Sequence, residues 1–251
     1  MPGSVYKVDG NTLPGGWLDP STLTAGLHSV DFSYTDQNGC TGSVSQVLNV
    51  GPANPPCGGT VTDNRETPPV TYRTGMISGK CWMLENLRYG TSVSATVSPQ
   101  TDNCLAEKYC LPSDPGCTAY GGLYQWDEAV QYEMTAGPEY QGICMPGWHL
   151  PTSAEFQSLI DANQGNGSAG YWLTLQNQTP RGFEALLEGV LYQNNSWAFL
   201  ASNTPHATFF WTSSAVNSQK AVARGMNSKV ESVMQYEALK SNAFPVRCVK
   251  D

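Results

Sequence analysis

The stretch Gly142-Ile-Cys-Met-Pro-Gly-Trp-His-Leu-Pro-Thr152 runs directly into Ser153-Ala-Glu155 and an apolar series, Phe156, Leu159 and Ile160. Thr152 with Glu155 three residues on is a capping box. The hydroxyl accepts from the amide of the third helical residue, and the carboxylate reaches back to the cap's own N–H. The apolar spacing that follows turns one face of the helix to a core. Upstream, Leu123, Trp126, Ala129, Val130 and Met134 recur at helical spacing after Gly121-Gly122 and predict an earlier helix. Before that, Val70–Thr74 and Met76–Trp82 read as short strands. From Gly182 onward, apolar runs are separated by Asn, Ser and Gly: Phe183–Leu187, Trp197–Leu200, Phe209–Trp211, Val230–Tyr236 and Phe244–Val249. Two helices early and many short strands late make an α+β domain.

The whole chain, 251 residues, has room for two modest domains, or for one with an appendage. Charged residues make up only 14% of it. That suits a loop-rich protein of short strands better than a helical bundle with wet, charged faces. The net charge of -8 argues against nucleic acid and anionic membranes, which reward basic surfaces. No apolar run approaches the length of a membrane span, so no membrane insertion is expected. The start, Met1-Pro-Gly-Ser4, lacks the basic and apolar regions of a signal peptide. It reads as an expression remnant, in which case a natural signal or lipid anchor has been removed.

Eight cysteines are present, and no spacing gives paired CxxC knuckles. With His28, His149 and His206 far apart, zinc is poorly supported and no cofactor is expected. Disulfides in a secreted or cell-surface protein are the simpler reading, and buried free thiols in the cytosol the alternative. Cys110 and Cys117 flank Leu-Pro-Ser-Asp-Pro-Gly, which can fold back to bonding distance.

Nearer the N-terminus, His28, Val30, Phe32 and Tyr34 alternate with polar residues, as in a strand with one buried face. Asp36-Gln37-Asn38-Gly39 supplies a hairpin turn, and Val44, Gln46, Leu48 and Val50 continue on the other side. Tyr34 to Val50 resembles the last strands of immunoglobulin-like repeats in bacterial surface proteins. Fewer strands are visible than a complete sandwich needs. Residues 1–50 are therefore expected to form a partial immunoglobulin-like β segment. Gly51-Pro-Ala-Asn-Pro-Pro-Cys-Gly-Gly59 begins a Pro/Gly linker over 51–60.

Past the linker, several strings stand in one order: Cys81-Trp-Met-Leu-Glu-Asn-Leu87, Glu107-Lys-Tyr-Cys110, Tyr120-Gly-Gly-Leu-Tyr-Gln-Trp126 and the stretch from Gly142 to Thr152. Gly182-Phe-Glu-Ala-Leu186, Phe210-Trp-Thr-Ser-Ser214 and Phe244-Pro-Val-Arg-Cys-Val-Lys-Asp251 complete the series. It resembles the Fibrobacter succinogenes major paralogous domain of bacterial surface proteins. The resemblance implies a C-type-lectin-like fold over 61–251, of the kind shared with formylglycine-generating enzymes. The same fold carries the variable proteins of diversity-generating retroelements.

Trp82, Trp126, Trp148 and Trp211 could stack on sugars, but beside Gly, Pro and aliphatic residues they read as core. His149 has no partner in a nucleophile motif and reads as structural. Cys144 and Cys248 both sit in anchors beside the core and are the second expected pair. Cys81 with Cys104 and Cys40 with Cys57 follow by elimination. A free buried thiol remains the alternative for each. The apolar setting of Cys248 disfavours a reactive thiolate, and so a formylglycine-generating-type oxidase. Trp211-Thr-Ser-Ser-Ala215 carries hydroxyls where sugar-binding C-type lectins place a carboxylate. The only acids from Trp211 onward, Glu231, Glu237 and Asp251, are well separated, which disfavours a lectin-style calcium site there. An ion in the Asp102-Asn103 or Asp114 loops stays open.

Between the Trp-Ser-Ser and Arg-Cys anchors lies a heterogeneous run, from which a ligand-binding set is drawn: Val216, Lys220, Val222, Arg224, Met226, Met234, Gln235, Glu237 and Leu239. Constant flanks around such an interior are what a variable recognition surface looks like, and exposed Met and Leu among charges suit a protein partner. Solvated strands under drift explain the same pattern. Six of the thirteen Lys and Arg fall between Lys220 and Lys250, a locally basic tail that could steer an acidic partner or merely decorate an edge. The expected function is ligand binding or adhesion at the cell surface or outside the cell, with no enzymatic activity. A purely structural surface-array module is the alternative.

Overall fold

The computed structural model describes the chain apart from residues 1–2, 14–17, 19–22, 25, 36–39, 51–56, 95–98, 134–139, 164–172, 174–181, 188–189, 192–196, 199–206, 228–229 and 251. The chain divides into two units, Met1–Pro56 and Cys57–Asp251. The division falls within the stretch read as a linker, most of which lies outside the described residues, as does the expected Asp36–Gly39 turn.

The first unit is one antiparallel sheet of β1 (Gly3–Val8), β2 (Asn11–Thr12), β3 (Gly26–Thr35) and β4 (Thr41–Val50), in the order β2-β1-β3-β4. The expected pair of strands is there, with Phe32 opposite Val44. The sequence reading missed β1 and β2, although their signal is present. Asp9-Gly10, both with positive φ, make the tight turn that lays Val8 against Asn11. Val8 is buried, whereas Val44 on the outer strand is 61% exposed.

The second unit opens with β5 (Thr60–Asp63), β6 (Val70–Ile77) and β7 (Lys80–Met83), a meander closed by β17 (Val249–Lys250) on the far side of β7. Ser78 and Gly79 both have positive φ and turn β6 into β7. A small parallel pair, β8 (Thr91–Ser92) with β9 (Glu107–Lys108), leads to β10 (Leu123–Gln125). Helix α1 follows as a single turn, Trp126–Ala129, and α2 spans Ser153–Ala162. Strand β10 pairs with β16 (Ala243–Pro245), which also meets β11 (Val190–Leu191) and, through it, β12 (Trp197–Ala198). The remaining sheet has the order β13 (Ala207–Ala215), β14 (Lys220–Asn227), β15 (Val230–Leu239). Among the described residues, two helices and many strands in several small sheets result, and the balance is mostly β.

Several expectations need correction. Leu123 belongs to a strand, and the helix expected from it to Met134 is one turn long, because Gln131 and Tyr132 adopt left-handed backbone conformations that stop it. Met134 itself lies outside the described residues. Phe183–Leu187 is not a strand: Glu184 takes a positive φ, which breaks the extended run. Of Trp197–Leu200, residues 197–198 lie in a strand as expected, and 199–200 lie outside the described residues.

Helix α2 forms as its capping box requires. Thr152 Oγ1 accepts from Glu155 N at 3.1 Å, and Glu155 Oε2 accepts from Thr152 N at 2.7 Å. Phe156, Leu159 and Ile160 are buried against Trp82, Phe183 and Phe210. A second apolar cluster gathers Met83, Tyr124, Trp126, Ile143, Trp211 and Phe244. All four anchor tryptophans are buried, and the indole N–H groups of Trp126 and Trp211 donate to Thr212 O and Tyr124 O. Gly142 explains the start of its motif. It sits at positive φ, and a side-chain carbon there would come within 2.5 Å of Ala129 O.

Three disulfides bind the second unit: Cys110–Cys117, Cys144–Cys248 and Cys57–Cys81. The first two are the expected pairs. The third replaces the expected Cys81–Cys104 and Cys40–Cys57. Gly58 N donates to Thr74 Oγ1 and Thr74 N to Gly59 O, while the β6–β7 register sets Met76 opposite Cys81. Cys57 is thereby carried to the side of Cys81, with Cα atoms 5.6 Å apart. Cys40 and Cys104 are exposed and stand outside the three bonds. Chain-entropy reasoning assigns about 4–5 kcal/mol to a bond closing a loop as long as Cys144–Cys248, and about 2 kcal/mol to the short one.

Candidate functional site

The sheet β13-β14-β15 carries the late segment singled out above. One face is apolar and inward, with Phe209, Trp211, Ala221, Ala223 and Tyr236 gathered on it by register and Phe244 packed at 5.2 Å from Phe209 and 4.4 Å from Trp211. The other face carries Phe210, Val222, Arg224, Met226, Val233, Gln235 and Glu237. Helix α2 lies over one end of that second face. Arg224 donates to Ser153 O, Ser153 Oγ and Gln157 Oε1 at 2.9–3.0 Å, and Met226, Phe210 and Val233 join the cluster of Phe156 and Leu159.

The nine expected ligand-binding residues therefore separate. Val222, Arg224 and Met226 are buried, Met226 to 1% exposure, so they are core and not recognition surface. Their strand is central in the sheet, with neighbours on both sides and α2 above, and alternation along it exchanges one buried face for another. Met234 points to the inward face and is half-buried, its sulfur accepting from Tyr236 Oη at 3.4 Å. Lys220, Gln235, Glu237 and Leu239 share the second face, Gln235 at the margin of α2, where it meets Ser153. Lys220 is half-buried and the other three are exposed. Leu239, at 37% exposure, lies opposite Lys220, and Val216, at 40%, projects from the turn before β14. The Asn217 side chain builds that turn by accepting from Gln219 N and Lys220 N. The result is a ridge of two aliphatic side chains, one cation, one anion and one amide.

Ser153 was not anticipated beside this ridge. Its N–H donates to Ser214 Oγ at 3.0 Å and its hydroxyl to Gln235 Oε1 at 3.3 Å. The capping box announces the first turn of α2, but nothing local in sequence places that turn beside β15.

The expected basic tail does not face solvent as one group, and Lys220 and Lys250 are half-buried. Arg224, Lys240 and Arg247 are buried. Arg247 donates to Asn86 Oδ1, Phe183 O and Glu184 O, and Lys240 sits 4.0 Å from the centre of the Trp126 ring. Lys229 lies outside the described residues. His149 is structural, bonded through Nε2 to Glu155 Oε1 at 2.8 Å. Burial alone would raise the Glu155 pKa. The hydrogen bonds from His149 and from the N–H and hydroxyl of Thr152 outweigh it and hold the group at about 2. The Asp114 carboxylate is taken by four donors, Thr118 N, Thr118 Oγ1, Ala119 N and Tyr120 N, so it staples its loop. No group of three or more His, Cys, Asp or Glu among the described residues is placed to hold a metal ion.

The anchors that frame this sheet are shared with other proteins: the family model described as the Fibrobacter succinogenes major domain matches residues 76–250. The chain belongs to this family. The Fibrobacter succinogenes major domain thus runs here from the end of β6 to β17, and takes in both helices and the late sheet. No curated protein and no solved structure matches the chain. Three disulfides place this domain in an oxidising compartment. Among the described residues, no helix is long and apolar enough to cross a membrane.

Proposed function

We propose that the chain is a cell-surface or secreted binding module with a C-type-lectin-like fold. Its ridge of Val216, Lys220, Gln235, Glu237 and Leu239 meets a protein partner, and no chemistry is performed on the ligand. One observation carries this reading. Within a single sheet, the Phe210–Ser213 anchor of β13 and the length of β14 are locked in the core, while β15 turns a mixed row of side chains to solvent. Such a ridge offers apolar contact, charge pairing and an amide on a rigid strand, and side chains there can be exchanged without repacking the interior. Diversification of these positions is part of the proposal. The disulfide between Cys144 and Cys248 supports a binding role over an oxidase, which would need a thiolate at one of them.

The test uses two displayed libraries. Randomising positions 216, 220, 235, 237 and 239 should leave most members resistant to protease, whereas randomising 222, 224 and 226 should leave few. In parallel, the chain and a Gln235→Arg, Glu237→Arg, Leu239→Asp triple variant are compared for retention of surface proteins from the host. Loss of a retained protein at unchanged Tm is the expected result. Equal retention by the two would favour a purely structural array module and end the proposal.

A further inference from the structure

The sheet edges of this chain are guarded unequally. In the first unit β2 ends the sheet as a strand of two residues, and in the late sheet β15 carries Glu231 and Glu237. Short edge strands and edge charges both discourage pairing with another chain. Strand β4 has neither device. From Thr41 to Val50 it holds no charged residue and no proline, and it pairs with β3 over 10 residues without a bulge. Among the described residues β3 is its one neighbour, and from Thr41 to Leu48 no hydrogen bond from outside the sheet reaches it. Every residue from Thr41 to Val47 is exposed, on both faces of the strand.

The same unit is short of packing. Val8 is the one buried apolar side chain among its described residues, and Tyr6, Val30, Phe32, Val44 and Leu48, which register sets on a common face, are not buried. A further strand along β4 would supply both ladder hydrogen bonds and cross-strand contacts. The strand has no charge with which to select a foreign partner. The chain as a whole has a net charge of -8 and repels its own copies, except along a neutral strip such as this one. An identical strand matches it in length and in neutrality.

We propose that β4 pairs antiparallel with β4 of a second copy of this chain, about a two-fold axis at Gln46. Two identical antiparallel strands are related by an axis normal to the sheet, which keeps each side chain on its own face. Facing residues share a face, so the axis passes through a residue position and not between two. Centred on Gln46, residues 42–50 of both copies overlap. Val44 then faces the partner's Leu48, Ser43 the partner's Asn49, and Gln46 the partner's Gln46, so apolar largely meets apolar and amide meets amide. Centred on Ser45, Val44 would face the partner's Gln46 and Gly42 the partner's Leu48. Centred on Val47, the overlap shrinks to residues 44–50. With the axis at Gln46 the row from Tyr6 through Phe32 to Val44 continues into the partner's Leu48, and two four-stranded sheets become one. The edge lies in the other unit from the ridge, so either proposal can fail alone.

Sedimentation equilibrium of the whole chain from about 1 to 100 μM tests it, since an edge pairing is a small interface and micromolar association is expected. Gln46→Glu sets two carboxylates face to face and should weaken the dimer at least about tenfold. Gln46→Lys should do the same by opposing two ammonium groups. Because Gln46 is exposed, both variants should keep the parent Tm. An equimolar mixture of the two should restore association as a heterodimer, read by mass in native mass spectrometry, and that recovery separates lost pairing from lost folding. A chain that stays monomeric over the whole range would overturn the proposal. So would a dimer indifferent to Gln46→Glu, whether held by another surface or through Cys40 or Cys104, and so would two variants that fail to recombine.

Discussion

Strands β14 and β15 lie side by side, and in both apolar and polar residues are interleaved, yet their fates differ. Every residue from Ala221 to Met226 on β14 is buried, including Arg224, whereas β15 exposes Gln235, Glu237 and Leu239. Composition does not separate them; position does. β14 is central, with β13 and β15 on either side, an aromatic cluster under one face and α2 over the other. β15 has a neighbour on one side only in this sheet, and α2 reaches just part of its outer face. A period of two says that a strand has two faces. What covers each face is decided by chain far away in sequence.

The contrast can be broken experimentally, most severely at Met226. Met226→Ala should cost about 2–5 kcal/mol, as truncations in a packed core do, read as a fall in denaturation midpoint at constant slope. A loss under about 0.5 kcal/mol would mean that β14 is not the interior strand described. Gly225→Ala comes next. Its new carbon would stand 2.6 Å from a Tyr236 ring atom and 2.7 Å from one of Phe209, and overpacking of this kind costs about 1–3 kcal/mol. Thermal unfolding should register it, and Tyr236→Ala in the same background should recover part of the loss.

Acid probes the helix that covers β14. Because the folded-state pKa of Glu155 is depressed to about 2 from 4.5, its contribution is complete above pH 4.5 and fades as the pH falls toward 2. Glu155→Gln should flatten the stability profile across that window, and an unchanged profile would remove the His149–Glu155–Thr152 cluster from the account. The smallest effect is expected on β15. Gln235→Ala with Glu237→Ala should stay within about 0.5 kcal/mol of the parent. A larger loss would make the ridge structural.

Some of this was legible in the sequence. The Thr152–Glu155 capping box, the four buried tryptophans and the Cys110–Cys117 loop are local or compositional signals, and the ordered anchors led to the family. Other features depended on the fold itself. Cys57 reaches Cys81 through the β5–β6–β7 meander, a pairing that elimination among eight cysteines misassigned. The helix expected to extend past Val130 is ended by two left-handed residues, neither of them glycine, that no periodicity announces. Met226 and Arg224 looked like surface because α2, some seventy residues earlier, is what hides them.

The Cys144–Cys248 bond spans a sequence separation of 104 that takes in α2 and all of β13, β14 and β15. A single proteolytic cut anywhere inside that span would leave the two pieces joined through sulfur, with every strand of the ridge still attached to both. Outside a cell, where peptidases are abundant and reductants scarce, nicking would register as a second band only on a reducing gel, and the presented surface would outlast the continuity of its own backbone.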